Sequence, residues 1–107
     1  MANKLIIPLF GNEVSPRFDL ASDVLIIIPG EKEERKIVVL PRSSAEQLCQ
    51  LILAEGIQVV ICGGIEEEYY QYLTWKRVKV LDSVMGSWEA ALERFNKGTL
   101  HPDEIVS

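Results

Sequence analysis

Histidine, cysteine and clustered positive charge are what this chain has least of. Its 107 residues include one histidine and two cysteines. His101 stands before Pro102 in a polar stretch and reads as solvated. A Ser-His-Asp or Cys-His arrangement therefore has no well-placed base. Cys49 and Cys62 form no CxxC pair and have no histidine near them, so no zinc signature is present. In a cytoplasmic setting a structural disulfide between them is not expected. Eleven basic residues face 16 acidic ones, for a net charge of −5, and the bases are scattered. That balance disfavours nucleic acid, whose recognition rests on neutralising phosphates.

Long apolar runs are missing too. No segment approaches the roughly 20 residues a membrane span requires. The apolar run Leu5 to Phe10 is short and contains Pro8, which excludes a signal peptide. A cytoplasmic protein with no membrane partner is expected.

What is present has the make-up of one globular domain, 48% apolar and 25% charged. Its centre is Val59 to Cys62, an apolar run bounded by Gly56 and the pair Gly63-Gly64. This is the pattern of a strand buried on both faces within a parallel sheet. Lys4 to Leu9 is a first strand, with pairing expected to loosen at Pro8. Phe10 to Ala21 reads as a loop of about a dozen residues, long enough to suggest function, with Val14 and Phe18 as its apolar anchors.

Asp23 to Ile28 and Arg35 to Leu40 form an antiparallel hairpin. Ile28-Pro29-Gly30-Glu31 fits a type II turn, and the charged tip suits a sheet edge. Ser43-Ser44-Ala45-Glu46 is a capping-box pattern opening a helix that Gly56 closes. Glu66, Glu67 and Glu68 open a second helix, where the macrodipole favours negative charge. Val78 to Leu81 is a fifth strand. Ser87 caps a third helix whose stripe is Trp88, Ala91, Leu92 and Phe95.

The order β-β-β-α-β-α-β-α predicts an α/β fold of three layers, α/β/α. A meander followed by right-handed crossovers gives a mixed five-stranded sheet of order 3-2-1-4-5, the ribonuclease H-like arrangement. Residues 1–107 form a single domain with a core over about 4–98 and a polar tail, 99–107, expected to fray.

In such sheets ligands bind beyond the carboxyl ends of the parallel strands, where strand order reverses. Three segments converge there: Phe10 to Asp19, Cys62 to Glu66, and Asp82 to Ser87. They offer Asn12, Ser15, Arg17, Asp19, Cys62, Met85 and the amides of Gly63, Gly64 and Gly86. Cys62 also reads as a small core residue, and Arg17 with Asp19 as a surface pair. Ribonuclease H chemistry needs clustered carboxylates, and Leu5 to Leu9 carries none. Neither Gly11-Asn12 nor Gly63-Gly64 makes a phosphate loop. No catalytic constellation results, and an enzyme is not expected.

Three ordered motifs carry a resemblance. They are Ile7-Pro8-Leu9-Phe10-Gly11-Asn12-Glu13-Val14-Ser15-Pro16-Arg17-Phe18-Asp19, then Val59-Val60-Ile61-Cys62-Gly63-Gly64-Ile65, and Met85-Gly86 before a helix ending Phe95-Asn96-Lys97-Gly98-Thr99-Leu100. From about Lys4 to Leu100 the chain resembles the dinitrogenase iron-molybdenum cofactor biosynthesis family, of the NifX and NafY type and including the C-terminal part of NifB. The resemblance implies a ribonuclease H-like fold and binding of an iron-sulfur or iron-molybdenum-type cluster or its precursor. It also implies a metallocluster donor or acceptor protein as partner, and a monomer or homodimer.

On that reading Cys62 is the metal ligand, Arg17 a cation for an anionic cluster, and Gly63, Gly64 and Gly86 supply amides. Nitrogenase-linked members often carry a histidine in a Ser-Arg-His-Phe-like segment; here the segment is Ser15-Pro16-Arg17-Phe18. That departure keeps a second expectation open, a partner-binding or regulatory domain without a cofactor.

Overall fold

The structure is a computed structural model that describes residues 3–107. Its elements are β1 (Leu5–Phe10), β2 (Glu13–Val14), β3 (Asp23–Ile28), β4 (Glu34–Val39), α1 (Ala45–Ala54), β5 (Val59–Ile61), α2 (Glu67–Trp75), β6 (Lys79–Leu81), β7 (Met85–Gly86), α3 (Trp88–Asn96) and β8 (Ile105–Val106). A single 3-10 turn, Phe18–Leu20, precedes β3.

The main sheet runs β4-β3-β1-β5-β6, with β2 added beside β1. β1 pairs antiparallel with β3 and parallel with β5, and β5 pairs parallel with β6. Both faces of the centre are covered, so its strands carry apolar residues at successive positions rather than in alternation. Ile6, Val24, Ile26 and Val60 face α1 and α2, meeting Leu48, Cys49, Ile52 and Leu73. Leu5, Ile7, Leu25, Ile27, Val59 and Ile61 face the opposite way, toward Ala91 and Leu92 of α3. The fold is thus a mixed sheet with helices on both faces.

Local chemistry sets the helix ends. Ser44 Oγ accepts the Gln47 N–H at 3.0 Å, so the cap lies one residue later than the Ser43-to-Glu46 box predicts. Gly56 closes α1 at φ +65°, a conformation that favours glycine. Ser87 Oγ accepts from Ala90 N at 3.1 Å to open α3.

Three expectations are corrected. The segment after β1 is not an open loop. Leu9 pairs with Val14 and Phe10 with Glu13 across a two-residue Gly11-Asn12 turn, with Gly11 at φ +62°. Val14 and Phe18 are buried, as expected of anchors. Between β3 and β4 the chain takes a longer connection over 29–33. Gly30 lacks the positive φ a type II turn requires, and pairing resumes only at Ile28 opposite Glu34.

The tail does not fray. β8 pairs parallel with β7, Met85 against Ile105 and Gly86 against Val106. Leu100 and Val106 are buried against the α3-side core. Glu104 anchors the segment by accepting from Arg94 Nη1 at 2.7 Å and from the His101 N–H at 2.6 Å. Two buried apolar side chains and a charge-assisted hydrogen bond outweigh the ordering entropy of a short polar stretch.

Candidate binding groove at the strand ends

β1 and β5 lie side by side and parallel, and the chain leaves them toward opposite halves of the sheet. Pairing of β1 with β5 covers only Leu5 and Ile6, so Pro8 sits beyond the last parallel pair and costs that ladder no donor. The freed edge is taken by the next segment, with Ser15 N–H donating to the Pro8 carbonyl at 2.8 Å.

The three converging segments are joined by backbone hydrogen bonds. Gly64 N–H donates to the Pro16 carbonyl at 2.7 Å and Phe18 N–H to the Gly64 carbonyl at 2.8 Å, a parallel bridge between Arg17 and Gly64. Ser83 N–H donates to Gly63 O at 2.9 Å and Val84 N–H to Cys62 O at 3.0 Å. Trp88 N–H donates to the Asn12 carbonyl at 3.2 Å. The segment after β1 is thereby held to the end of β5 and the start of α3, and the end of β5 to the segment after β6.

Glycine is required at two of these joints. A methyl group on Gly63 would collide with the Ser15 carbonyl oxygen and stand 2.6 Å from that of Pro16. Gly86 has φ +119°, and a methyl group there would run into the Val106 carbonyl. Their sequence signal reports close approach of one backbone to another.

Between the joined segments lies a groove of about 630 Å³. Val14, Pro16 and Gly64 line it from the β1 and β5 segments, and Met85, Gly86, Ile105 and Val106 from the β7–β8 ribbon. Glu13 and Ser83 supply its polar side chains. Met85, 55% exposed, brings a thioether.

Of the residues expected at the site, Gly64, Met85 and Gly86 line this groove. Ser15 is buried, and its hydroxyl donates to the Arg17 carbonyl at 2.9 Å, so it shapes the loop. Asn12 occupies the hairpin turn, where its carbonyl holds α3. Arg17 is bound to Asp19 by Nε–Oδ1 at 3.1 Å and Nη2–Oδ2 at 2.7 Å, an exposed pair across one residue. Gly63 is closed off by the backbone over it.

Cys62 is the clearest departure from the thiolate reading. It is 0% exposed and belongs to the core beneath α1 and α2. Burial, reinforced by the charge of Asp82, pushes its thiol well above the ordinary range and disfavours the thiolate a metal requires. Among the described residues no three His, Cys, Asp or Glu side chains come together as metal ligands.

Sequence reasoning missed Ile105, Val106, Ser83 and Pro16 as groove residues. The first two were visible as an apolar pair in an otherwise polar tail. A second cavity, of about 320 Å³ between α1 and α2, is lined by Cys49, Tyr69 and Tyr72. Cys49 is also raised, to about 11, by burial and then by the charge of Glu46.

The family model described as dinitrogenase iron-molybdenum cofactor matches residues 4–98. The chain belongs to that family. No curated protein matches it significantly. Among solved structures it is similar to the protein PH0822, at 23% identity and TM-score 0.81, over 94% of each chain. A Thermotoga protein of the DUF35 family is 19% identical with TM-score 0.75, over 99% of this chain and 98% of that one. The apo form of the orange protein from Desulfovibrio gigas is 19% identical with TM-score 0.76, over 94% and 92%. At these identities the likeness concerns the fold. Among the described residues, no helix of this family member is long and apolar enough to cross a membrane.

Proposed function

We propose that this family member is a small cytoplasmic carrier. Its cargo is a preassembled metal–sulfur cluster, or a precursor of the iron-molybdenum cofactor, enclosed without a protein thiolate. The observation that carries this reading is the groove at the strand ends, built from all three converging segments and lined mainly by apolar side chains. A cluster that keeps its own sulfides needs only a cavity that excludes water, a soft neighbour such as the Met85 thioether and a donor such as the Ser83 hydroxyl. Because no protein–metal bond has to break, the cargo remains transferable to an acceptor protein. The strand order β4-β3-β1-β5-β6 supports a ribonuclease H-like assignment of the sheet.

Incubating the purified chain anaerobically with ferrous iron and tetrathiomolybdate, followed by gel filtration and metal analysis, tests this. Retained metal with charge-transfer absorption is expected, unchanged in Cys62→Ala and lost in Ile105→Asp, which places a carboxylate in the groove. No uptake by the wild type, or uptake that Ile105→Asp leaves intact, would remove the carrier reading.

The buried Cys62 and the Arg17–Asp19 pair favour a second reading, a partner-binding or regulatory domain without a cofactor. A wild type that takes up no metal, yet binds one protein through the groove in an Ile105-dependent way, would establish it.

A further inference from the structure

β4 ends the sheet, and among the described residues it pairs with β3 alone. Edges of this length are ordinarily guarded by proline, bulges or free charge, because their unpaired amides and carbonyls invite another strand. β4 has no proline, its six residues pair with β3 in unbroken register, and its two basic side chains are engaged elsewhere. Lys36 Nζ lies 3.1 Å from Glu55 Oε1. Arg35 Nε donates to Glu33 at 2.8 Å, and its guanidinium carbon lies 5.7 Å from the Trp88 ring centre.

The hydrogen-bonding phase of the edge follows from the ladder. Leu40 N–H donates to Ser22 O at 2.7 Å, so in an antiparallel pair the alternate residues Val38, Lys36 and Glu34 also direct their backbone groups toward β3. Arg35, Ile37 and Val39 direct theirs outward. Ile37 is opposite Leu25 and Arg35 opposite Ile27, which puts these three side chains on the face that α3 covers farther in. Apart from the Trp88 ring beside Arg35, α3 leaves this edge uncovered: Ile37 is 64% exposed and Val39 69%.

We propose that this edge pairs with the β4 edge of a second copy of the chain, antiparallel about a two-fold axis through Ile37. A two-fold axis normal to the sheet keeps each face on its own side, so partners must share a face. The register centred on Ile37 meets that condition. Ile37 faces Ile37 of the copy, and Arg35 faces Val39 in both directions. All three outward-directed residues of each chain then exchange both backbone hydrogen bonds with a partner, and the two most exposed branched side chains of the strand are covered. The interface is isologous and closes at two copies. β4 contributes nothing to the groove, so both grooves stay open in the dimer and the inference stands apart from the cargo reading.

Sedimentation equilibrium over a wide concentration range, with hydrogen exchange at its two ends, tests the proposal. A monomer–dimer equilibrium is expected, with the Arg35, Ile37 and Val39 amides exchanging freely when dilute and protected when concentrated. Ile37→Lys sets two ammonium groups face to face on the axis and should weaken association more than about 100-fold. Val39→Lys serves as a second variant. Both should keep the wild-type circular dichroism, because these side chains are already largely exposed. A species that remains monomeric with those amides unprotected, or a dimer that Ile37→Lys and Val39→Lys leave intact, would overturn it.

Discussion

Gly63 packs its bare Cα against the Pro16 carbonyl so closely that a methyl group there would lie 2.6 Å from that oxygen. The obstacle is backbone on both sides, since the Ser15 carbonyl is in the way as well, and backbone tied into the Arg17–Gly64 bridge cannot step aside cheaply.

Gly63→Ala should therefore cost about 3 kcal/mol or more, at the upper end of overpacking effects. The neighbouring Gly64→Ala meets its nearest atom at 3.3 Å and lacks a positive φ, so it should cost about 1 kcal/mol or less. Urea denaturation of the two variants checks the contrast. Equal costs would mean that the close approach at Gly63 is not what demands glycine.

The C-terminal ribbon makes a coupled prediction. Gly86→Ala should destabilise the full chain, because its methyl group runs into the Val106 carbonyl and its φ is left-handed. In a chain ending before Ile105 the collision is gone and only the backbone strain remains. The cost of Gly86→Ala should fall by more than about 1 kcal/mol there, a non-additivity measurable by a double-mutant cycle. Val106→Ala alone should cost roughly 2 kcal/mol through lost burial.

The cysteines predict an alkaline effect. Cys49 is raised from 9.0 to about 11 and Cys62 is raised too, so the folded chain holds both protons more tightly than the unfolded chain. Their contribution to stability is fully present below about pH 9 and is lost as the pH rises toward and through 11. Unfolding free energy should decline across that window, and the decline should be shallower in Cys62→Ala. At pH 8, iodoacetamide should modify Cys49 slowly and Cys62 only on unfolding, as read by mass spectrometry of digests.

Phe18 fastens the segment after β1 to the core. Its ring is among the largest fully buried side chains, and its N–H donates to Gly64 O at 2.8 Å. Phe18→Ala should cost about 3–5 kcal/mol. Arg17→Gln, one residue away, removes only an exposed pair and should change stability by less than about 1 kcal/mol. Thermal unfolding of both variants separates the buried anchor from the surface one.

The sequence by itself determined the layers of this protein. Runs such as Leu5 to Leu9 and Val59 to Cys62 are apolar at every position because both sheet faces are covered, and the stripes of the helices show which side they bury. Gly56, Ser87 and the motif Gly63-Gly64 are local signals, since caps and close backbone approaches demand particular residue types wherever they occur.

Tertiary structure decided the rest, because it depends on contacts between distant segments. Cys62 reads from the sequence as a small core residue and, through the family resemblance, as a ligand, since an apolar run does not reveal which face of the sheet its last side chain takes. The packing of α1 and α2 over it settled that it is buried. Ser15 and Arg17 turn their polar side chains to the loop itself and to Asp19, and Asn12 ties its backbone carbonyl to Trp88. Ile105 and Val106 became walls of the groove only because β7 offered them an edge some twenty residues back along the chain. A two-residue strand has no periodicity to read, and its existence rests on the partner that pairs with it.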